Sequence, residues 1–157
     1  MPDGLLWPIK ASLMSYIESL DDGVVEVVGP ASRRDEGFWF PQEDASGTPG
    51  PGFVVAYSGS VRLGGHWGMM QLEFTDPRVE FGDDGAAVLL IRESGRTDRF
   101  TSLADLTIED VAHPEGGSTV FTLSAAVSGA GVFLLGSQYP AGTALAPVRI
   151  EWAPADG

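Results

Sequence analysis

An antiparallel β-sandwich or barrel-like domain of about ten strands, with one short N-terminal α-helix, is the fold class the sequence predicts. Three observations carry that prediction. Short apolar–polar alternations recur between Gly, Pro and Asp turn signals from Val24 to Trp152. Only one segment, Pro8 to Leu20, repeats apolar residues at helical spacing. No strand–helix–strand rhythm and no helical repeat is present, which argues against a parallel nucleotide-binding sheet. With 157 residues, 43% of them hydrophobic, the chain is expected to form a single domain over residues 1–157 with a core of its own.

The helix comes first. Pro8 suits a first helical position, where its missing N–H costs nothing. Ile9, Leu13, Ile17 and Leu20 then form one apolar face, and Gly23 is placed to take a left-handed turn after Asp21-Asp22. Val24–Val28 reads as a short strand broken by Gly29-Pro30. Arg33–Gly37 reads as an exposed turn, Phe38–Pro41 as an aromatic strand fragment, and residues 42–52, with three glycines and two prolines, as a loop. Phe53–Leu63 alternates over its whole length and is expected to be one strand. It is followed by the turn Gly64-Gly65-His66-Trp67-Gly68 and by Met70–Thr75, giving a long hairpin with His66 at its tip. Arg78–Phe81 and Ala86–Ile91 flank the hairpin turn Asp83-Asp84-Gly85. Arg96–Phe100, Leu103–Ile108, Thr119–Val127, Gly131–Leu135 and Val148–Trp152 complete the expected strands.

The charge balance narrows the function classes. Nine Lys and Arg stand against 22 Asp and Glu, a formal net charge of −13, which argues against nucleic acid as a partner and against anionic membrane surfaces. No apolar run is long enough to insert in a bilayer. The absence of cysteine removes disulfides, thiolate metal sites and cysteine nucleophiles together. With two histidines, His66 and His113, a zinc site is not expected. Residues 1–20 lack the basic start and apolar block of a signal peptide, so a cytoplasmic location is the expectation. No phosphate-cradling glycine motif and no nucleophile elbow is present. The carboxylates fall mostly in turns such as Asp21-Asp22 and Asp83-Asp84, where they read as solvated turn acids.

Four side chains remain as candidates. Ser12 and Tyr16 are four apart on the flank of the helical face, one turn above the other. On the helix alone, Tyr16 is a half-buried boundary tyrosine with its hydroxyl in water. His66 is surrounded by three glycines, which lets a ligand or another segment approach closely. The same residue reads equally as a solvent-exposed tip histidine. Tyr139 lies in the turn Gly136–Thr143, where a loop-anchoring role is the local reading. His113, before Pro114, reads as a surface loop residue.

These stretches together resemble the HtaA family, the heme-binding domains of certain bacterial heme-uptake systems. The opening Trp7-x-x-Lys10-x-Ser12-x-x-x-Tyr16-Ile17 is similar to that family's first motif, and Phe38-Trp39-Phe40-Pro41 to its aromatic–proline strand. The block from Gly59 through Gly64-Gly65-His66-Trp67-Gly68 to Leu72 and Asp76-Pro77-Arg78-Val79 is the most specific. Tyr139-Pro140-Ala141-Gly142 through Pro147-Val148 resembles the closing motif. Gln138 and Ala146 stand where the family usually has an aromatic residue and an acid.

The resemblance implies non-covalent binding of ferric heme b, in a carrier or buffer role, with heme itself and a heme donor or acceptor protein as partners. It implies Tyr16 as the axial ligand of the heme iron, with His66 hydrogen-bonded to the ligating phenolate. It further implies Ser12 against a propionate and Tyr139 at the pocket edge. The chemistry is coherent: a phenol has a reference pKa of about 10, and Fe(III) with a neighbouring hydrogen-bond partner favours the phenolate. Tyrosinate ligation favours ferric over ferrous iron, and protonation of His66 gives a route to release. Two other classes stay open from the residues. One is a cofactor-independent enzyme using Tyr16 and His66 for acid–base chemistry on a small organic substrate. The other is a binder of another flat apolar ligand, with Trp67 and Met69 lining the pocket.

Overall fold

A computed structural model describes residues 3–93, 99–114 and 117–153. Its elements in chain order are β1 (Gly4–Trp7), α1 (Ala11–Ser19), β2 (Val24–Val28), β3 (Ser32–Arg34), β4 (Gly37–Ser46), β5 (Val54–Tyr57), β6 (Ser60–Gly65), β7 (Met70–Thr75), β8 (Arg78–Phe81), β9 (Ala86–Arg92), β10 (Phe100–Ala112), β11 (Thr119–Val127), α2 (Gly131–Leu134) and β12 (Ala144–Trp152). The large sheet runs β1-β12-β11-β10-β9-β8-β5-β4, and β1 pairs back onto β4, so eight antiparallel strands close into a barrel. Closure removes the open edges that an eight-stranded sheet would otherwise present. β3 is appended to β4, while β2, β6 and β7 form a separate three-stranded sheet.

Period-2 patterning fills the barrel. Leu5 and Trp7 on β1, Phe38 and Phe40 on β4, Val55 and Tyr57 on β5, and Leu89 and Ile91 on β9 are buried; on β5 and β9 the residues between them are more exposed, whereas Leu6 on β1 and Trp39 on β4 are buried as well. Phe53, Phe81, Phe121 and Trp152 stack with ring centroids 5.2–5.5 Å apart. α1 and the three-stranded sheet share the same apolar cluster through Leu13, Ile17, Val61, Leu63, Leu72 and Phe74. Phe74 meets Trp7 edge-on at 5.9 Å, and the Trp7 indole N–H donates to the Ala146 carbonyl at 2.8 Å. Three buried side-chain atoms lack a hydrogen-bond partner among the described residues: Gln42 Oε1, Arg78 Nε and the Tyr57 hydroxyl oxygen. Burial pushes the Tyr57 pKa up, with the Asp3 carboxylate adding to the effect.

The mainly antiparallel fold with one principal helix is the one expected, and the structure resolves the choice between sandwich and barrel in favour of the barrel. It also corrects several local assignments. Gly4–Trp7 is a barrel strand, so Trp7 and Pro8 precede the helix, and Lys10 is the N-cap. Gly23 has no left-handed backbone. It is a glycine because a Cβ there would overlap the Ile17 carbonyl oxygen.

The single strand expected over Phe53–Leu63 is two strands in two sheets. The chain crosses between them at Gly59, with φ +120° and packed so closely on Ala31 that no Cβ fits. β4 continues to Ser46, into the expected loop, by pairing with β5. The strand expected over Gly131–Leu135 is the short helix α2. Gly131 and Leu135 point inward and Phe133 outward, which a strand cannot do, and Gly131 packs on the Leu103 carbonyl. The expected strand Arg96–Phe100 lies mostly outside the described residues, and Phe100 itself opens β10. Thr119–Val127 and the β8–β9 hairpin, with Asp84 and Gly85 at φ +57° and +77°, are as the sequence predicts.

Candidate functional site

α1 presents two faces. Leu13 and Ile17 are buried, and Ser12 and Tyr16 lie exposed on the opposite flank, one helical turn apart. The Ser19 hydroxyl donates to the Tyr16 carbonyl at 2.7 Å and ties down the last turn. Tyr16 keeps 42% of its surface exposed.

The β6–β7 hairpin delivers His66 to this flank. The strands pair from Ser60↔Thr75 to Gly65↔Met70, and the four residues between them form a tight turn closed by the Met69 N–H on the His66 carbonyl at 3.1 Å. His66 and Trp67 both sit in the left-handed region, at φ +54° and +57°, a costly conformation for residues with a Cβ. The turn thereby points the imidazole at α1, where the Tyr16 hydroxyl and His66 Nε2 are hydrogen-bonded and the rings lie 5.5 Å apart. A neutral phenol donates to an unprotonated Nε2. A phenolate accepts from Nε2–H. The pair can therefore hold the oxygen in either state by moving one proton.

A second contact fixes the same turn. The Trp67 backbone N–H donates to Asp22 Oδ2, from the turn that follows α1. The same turn offers large apolar side chains to water: Trp67 is 88% exposed and Met69 91%, while Phe133 on α2, 78% exposed, lines a groove with Gly65 and Gly68 of the hairpin. Tyr139 is half-buried against the core. Its ring lies 5.5 Å from Lys10 Nζ, which also donates to the Ala144 carbonyl at 3.1 Å. Tyr139 thus stands beside Lys10 at the start of α1, two residues before Ser12, but makes no direct hydrogen bond to Ser12, Tyr16 or His66.

The structure thus places Tyr16 and His66 in direct contact, Ser12 on the same flank, and Tyr139 at the N-terminal end of the helix. His113 is a surface residue, 3.4 Å from the Thr119 hydroxyl, and takes no part. Among the described residues no cluster of three or more His, Cys, Asp or Glu is arranged to hold a metal ion, and no helix is long and apolar enough to cross a membrane.

A groove of about 630 Å³ opens beside the hairpin tip, bounded by Asp22, Gly65, Gly68, Leu72 and Phe133. Arg62 at its outer side is held in its charged form by the Glu73 and Glu26 carboxylates, 3.0 and 3.4 Å away. A second groove, of about 640 Å³, lies between the Met14 flank of α1 and Arg33 and Phe38.

Sequence reasoning missed two residues here. Asp22, taken for a solvated turn acid, grips a backbone 45 residues away. No local pattern announces such a partner. Phe133 was hidden by the strand reading of its segment, although Gly131 and Leu135 four apart were the available sign of a helix.

The sequence model of the HtaA family matches residues 3–151. Among solved structures, the C-terminal domain of HtaA from Corynebacterium glutamicum is similar with a TM-score of 0.81 at 17% identity, covering 96% of this chain and 95% of that one. The N-terminal domain of the same protein gives a TM-score of 0.79 at 20% identity, covering 99% and 98%. The heme-binding protein HtaB from the same organism gives 0.71 at 22%, covering 94% and 90%. A comparison with curated protein sequences returns no match. With a family match across nearly all of its length and a barrel shared with these domains, the chain belongs to the HtaA family.

Proposed function

We propose that this domain binds ferric heme b non-covalently, with the Tyr16 phenolate as axial ligand, and acts as a heme carrier or buffer in the cytoplasm, exchanging heme with a donor or acceptor protein. The observation that carries the proposal is the Tyr16–His66 hydrogen bond on a surface flanked by exposed Trp67, Met69 and Phe133. The residues present fit the group. A phenol is a hard oxygen donor suited to Fe(III), and its partner imidazole can take its proton. Membership of the HtaA family and the heme binding of HtaB agree with this reading.

When bound, ferric heme would supply a Lewis-acidic iron that takes a hard oxygen donor. The protein supplies the rest. Tyr16 would pass its phenolic proton to His66 Nε2, and the resulting Nε2–H would donate to the phenolate, fixing the oxygen and tuning its basicity. Ser12, one turn away on the same flank, would donate its hydroxyl to a propionate. Tyr139, beside Lys10 at the start of α1, would stand at the edge of the bound heme. The apolar surfaces of Trp67, Met69 and Phe133 gain by being covered by a flat apolar ring system.

Titration of the purified protein with ferric heme tests the reading. Saturation near one heme per chain supports it, and weak, non-saturating uptake overturns it. The exposure of Trp67 and Met69 would also serve a different flat apolar ligand. In that case a colourless compound should co-purify and compete with heme in the same titration.

A further inference from the structure

The hairpin tip that carries His66 is held in an unfavourable shape. His66 and Trp67, consecutive and both with side chains, lie at φ +54° and +57°. Conformations of this kind persist when the surroundings over-determine them. Three contacts do so here. One is the Met69 N–H bond to the His66 carbonyl, internal to the turn. Another is the Tyr16–His66 bond. The third is the Trp67 N–H bond to the Asp22 carboxylate.

Asp22 is itself placed with little freedom. The Gly23 N–H donates to the Leu20 carbonyl at 3.2 Å, and Gly23 packs directly on the Ile17 carbonyl, so the turn after α1 is fixed to the last turn of the helix. The helix therefore grips the tip twice, through the side chain of Tyr16 and, past its C-terminal end, through Asp22. Only the second grip is independent of what Tyr16 is bonded to.

We propose that Asp22 is a positioning residue for the heme site: its carboxylate holds the Trp67 amide, and so keeps the His66 imidazole within hydrogen-bonding reach of Tyr16 when the phenol becomes a ligand. The proposal rests on the heme reading above. A side-chain oxygen suits the task because it accepts a hydrogen bond from a main-chain N–H. The main-chain N–H that it binds belongs to the residue that follows His66, so the constraint is transmitted through one peptide unit rather than a flexible side chain.

The test uses Asp22→Ala and Asp22→Asn, each with and without ferric heme. In the heme-free protein, hydrogen exchange at the Trp67 amide and the ring resonances of His66 and Tyr16 are followed by NMR. Asp22→Ala is expected to expose the amide and shift both rings, and Asp22→Asn, whose amide oxygen accepts the same N–H, to restore them. With heme, Asp22→Ala is expected to weaken binding by about tenfold, the lower end for loss of a group that supports a ligand, and to move the tyrosinate charge-transfer band. Asp22→Asn is expected to stay close to the wild type in both. An Asp22→Ala protein with wild-type amide protection overturns the proposal. So does one whose thermal midpoint falls while its band and ring resonances stay unchanged, because that is the mark of a structural role alone. If the wild type takes up no heme, the function proposed above fails, and the heme-free measurements still decide whether Asp22 sets the His66–Tyr16 pair.

Discussion

Trp7 and Trp67 mark two regions of the molecule that use the same side chain in different ways. Trp7 is enclosed in the barrel, edge-on to Phe74, with its indole N–H bonded to a carbonyl. Trp67 stands almost free on a turn with left-handed backbone, next to the histidine that meets Tyr16. The barrel is closed and has four aromatic side chains packed against one another in tilted and edge-on contacts. The cap, made of α1, the β2-β6-β7 sheet and α2, keeps strained backbone and exposed aromatics. Exposed aromatic surface costs stability, and among the described residues Trp67 and Phe133, the most exposed aromatic side chains, both lie in the cap, where the heme proposed above would cover them. The barrel supplies the rigidity that lets the cap be so built.

Substitutions can break or sharpen this contrast. Trp7→Ala should cost about 3–5 kcal/mol of unfolding free energy in denaturant titration, because it empties a large enclosed site and orphans the Ala146 carbonyl. Gly59→Ala should cost about 1–3 kcal/mol from its backbone alone, more if Ala31 cannot yield, since this is where the chain leaves the barrel for the cap.

Tyr57→Phe should go the other way and stabilise by about 1 kcal/mol, since it removes an enclosed hydroxyl without a partner. Tyr57 also sets a pH dependence. Its folded pKa lies above the unfolded value of about 10, so the unfolded chain gives up the proton first, and stability falls as pH rises past about 10. Tyr57→Phe should flatten that fall, which stability curves between pH 8 and 11 would show. Trp67→Ala should change stability by no more than about 0.5 kcal/mol while weakening heme binding. A large loss of stability there would contradict the division between barrel and cap.

The same division governs how much could be read from the sequence. Thr119–Val127 and the Asp84-Gly85 hairpin were legible because period-2 burial and turn chemistry are local signals. Tyr16, Ser12, His66 and Tyr139 stood out through family resemblance, and local chemistry alone left Tyr16 a boundary residue. What escaped depends on distant partners. Gly4–Trp7 is too short to announce a strand, and it becomes one because β12 and β4 flank it. Phe53–Leu63 alternates without interruption, yet contact with Ala31 bends it into two sheets. Gly131–Leu135 is apolar enough for a strand, and the close approach to Leu103 makes it a helical turn. Asp22 gives no sign in its own turn of the amide it holds.

The most direct measurement is the visible spectrum of Tyr16→Phe beside that of His66→Ala, each titrated with ferric heme under the conditions used for the wild type. The account predicts a high-spin tyrosinate charge-transfer band in the wild type, its loss in Tyr16→Phe together with most of the affinity, and a shifted, weaker band in His66→Ala. A Tyr16→Phe protein with unchanged spectrum and affinity would contradict the ligand assignment.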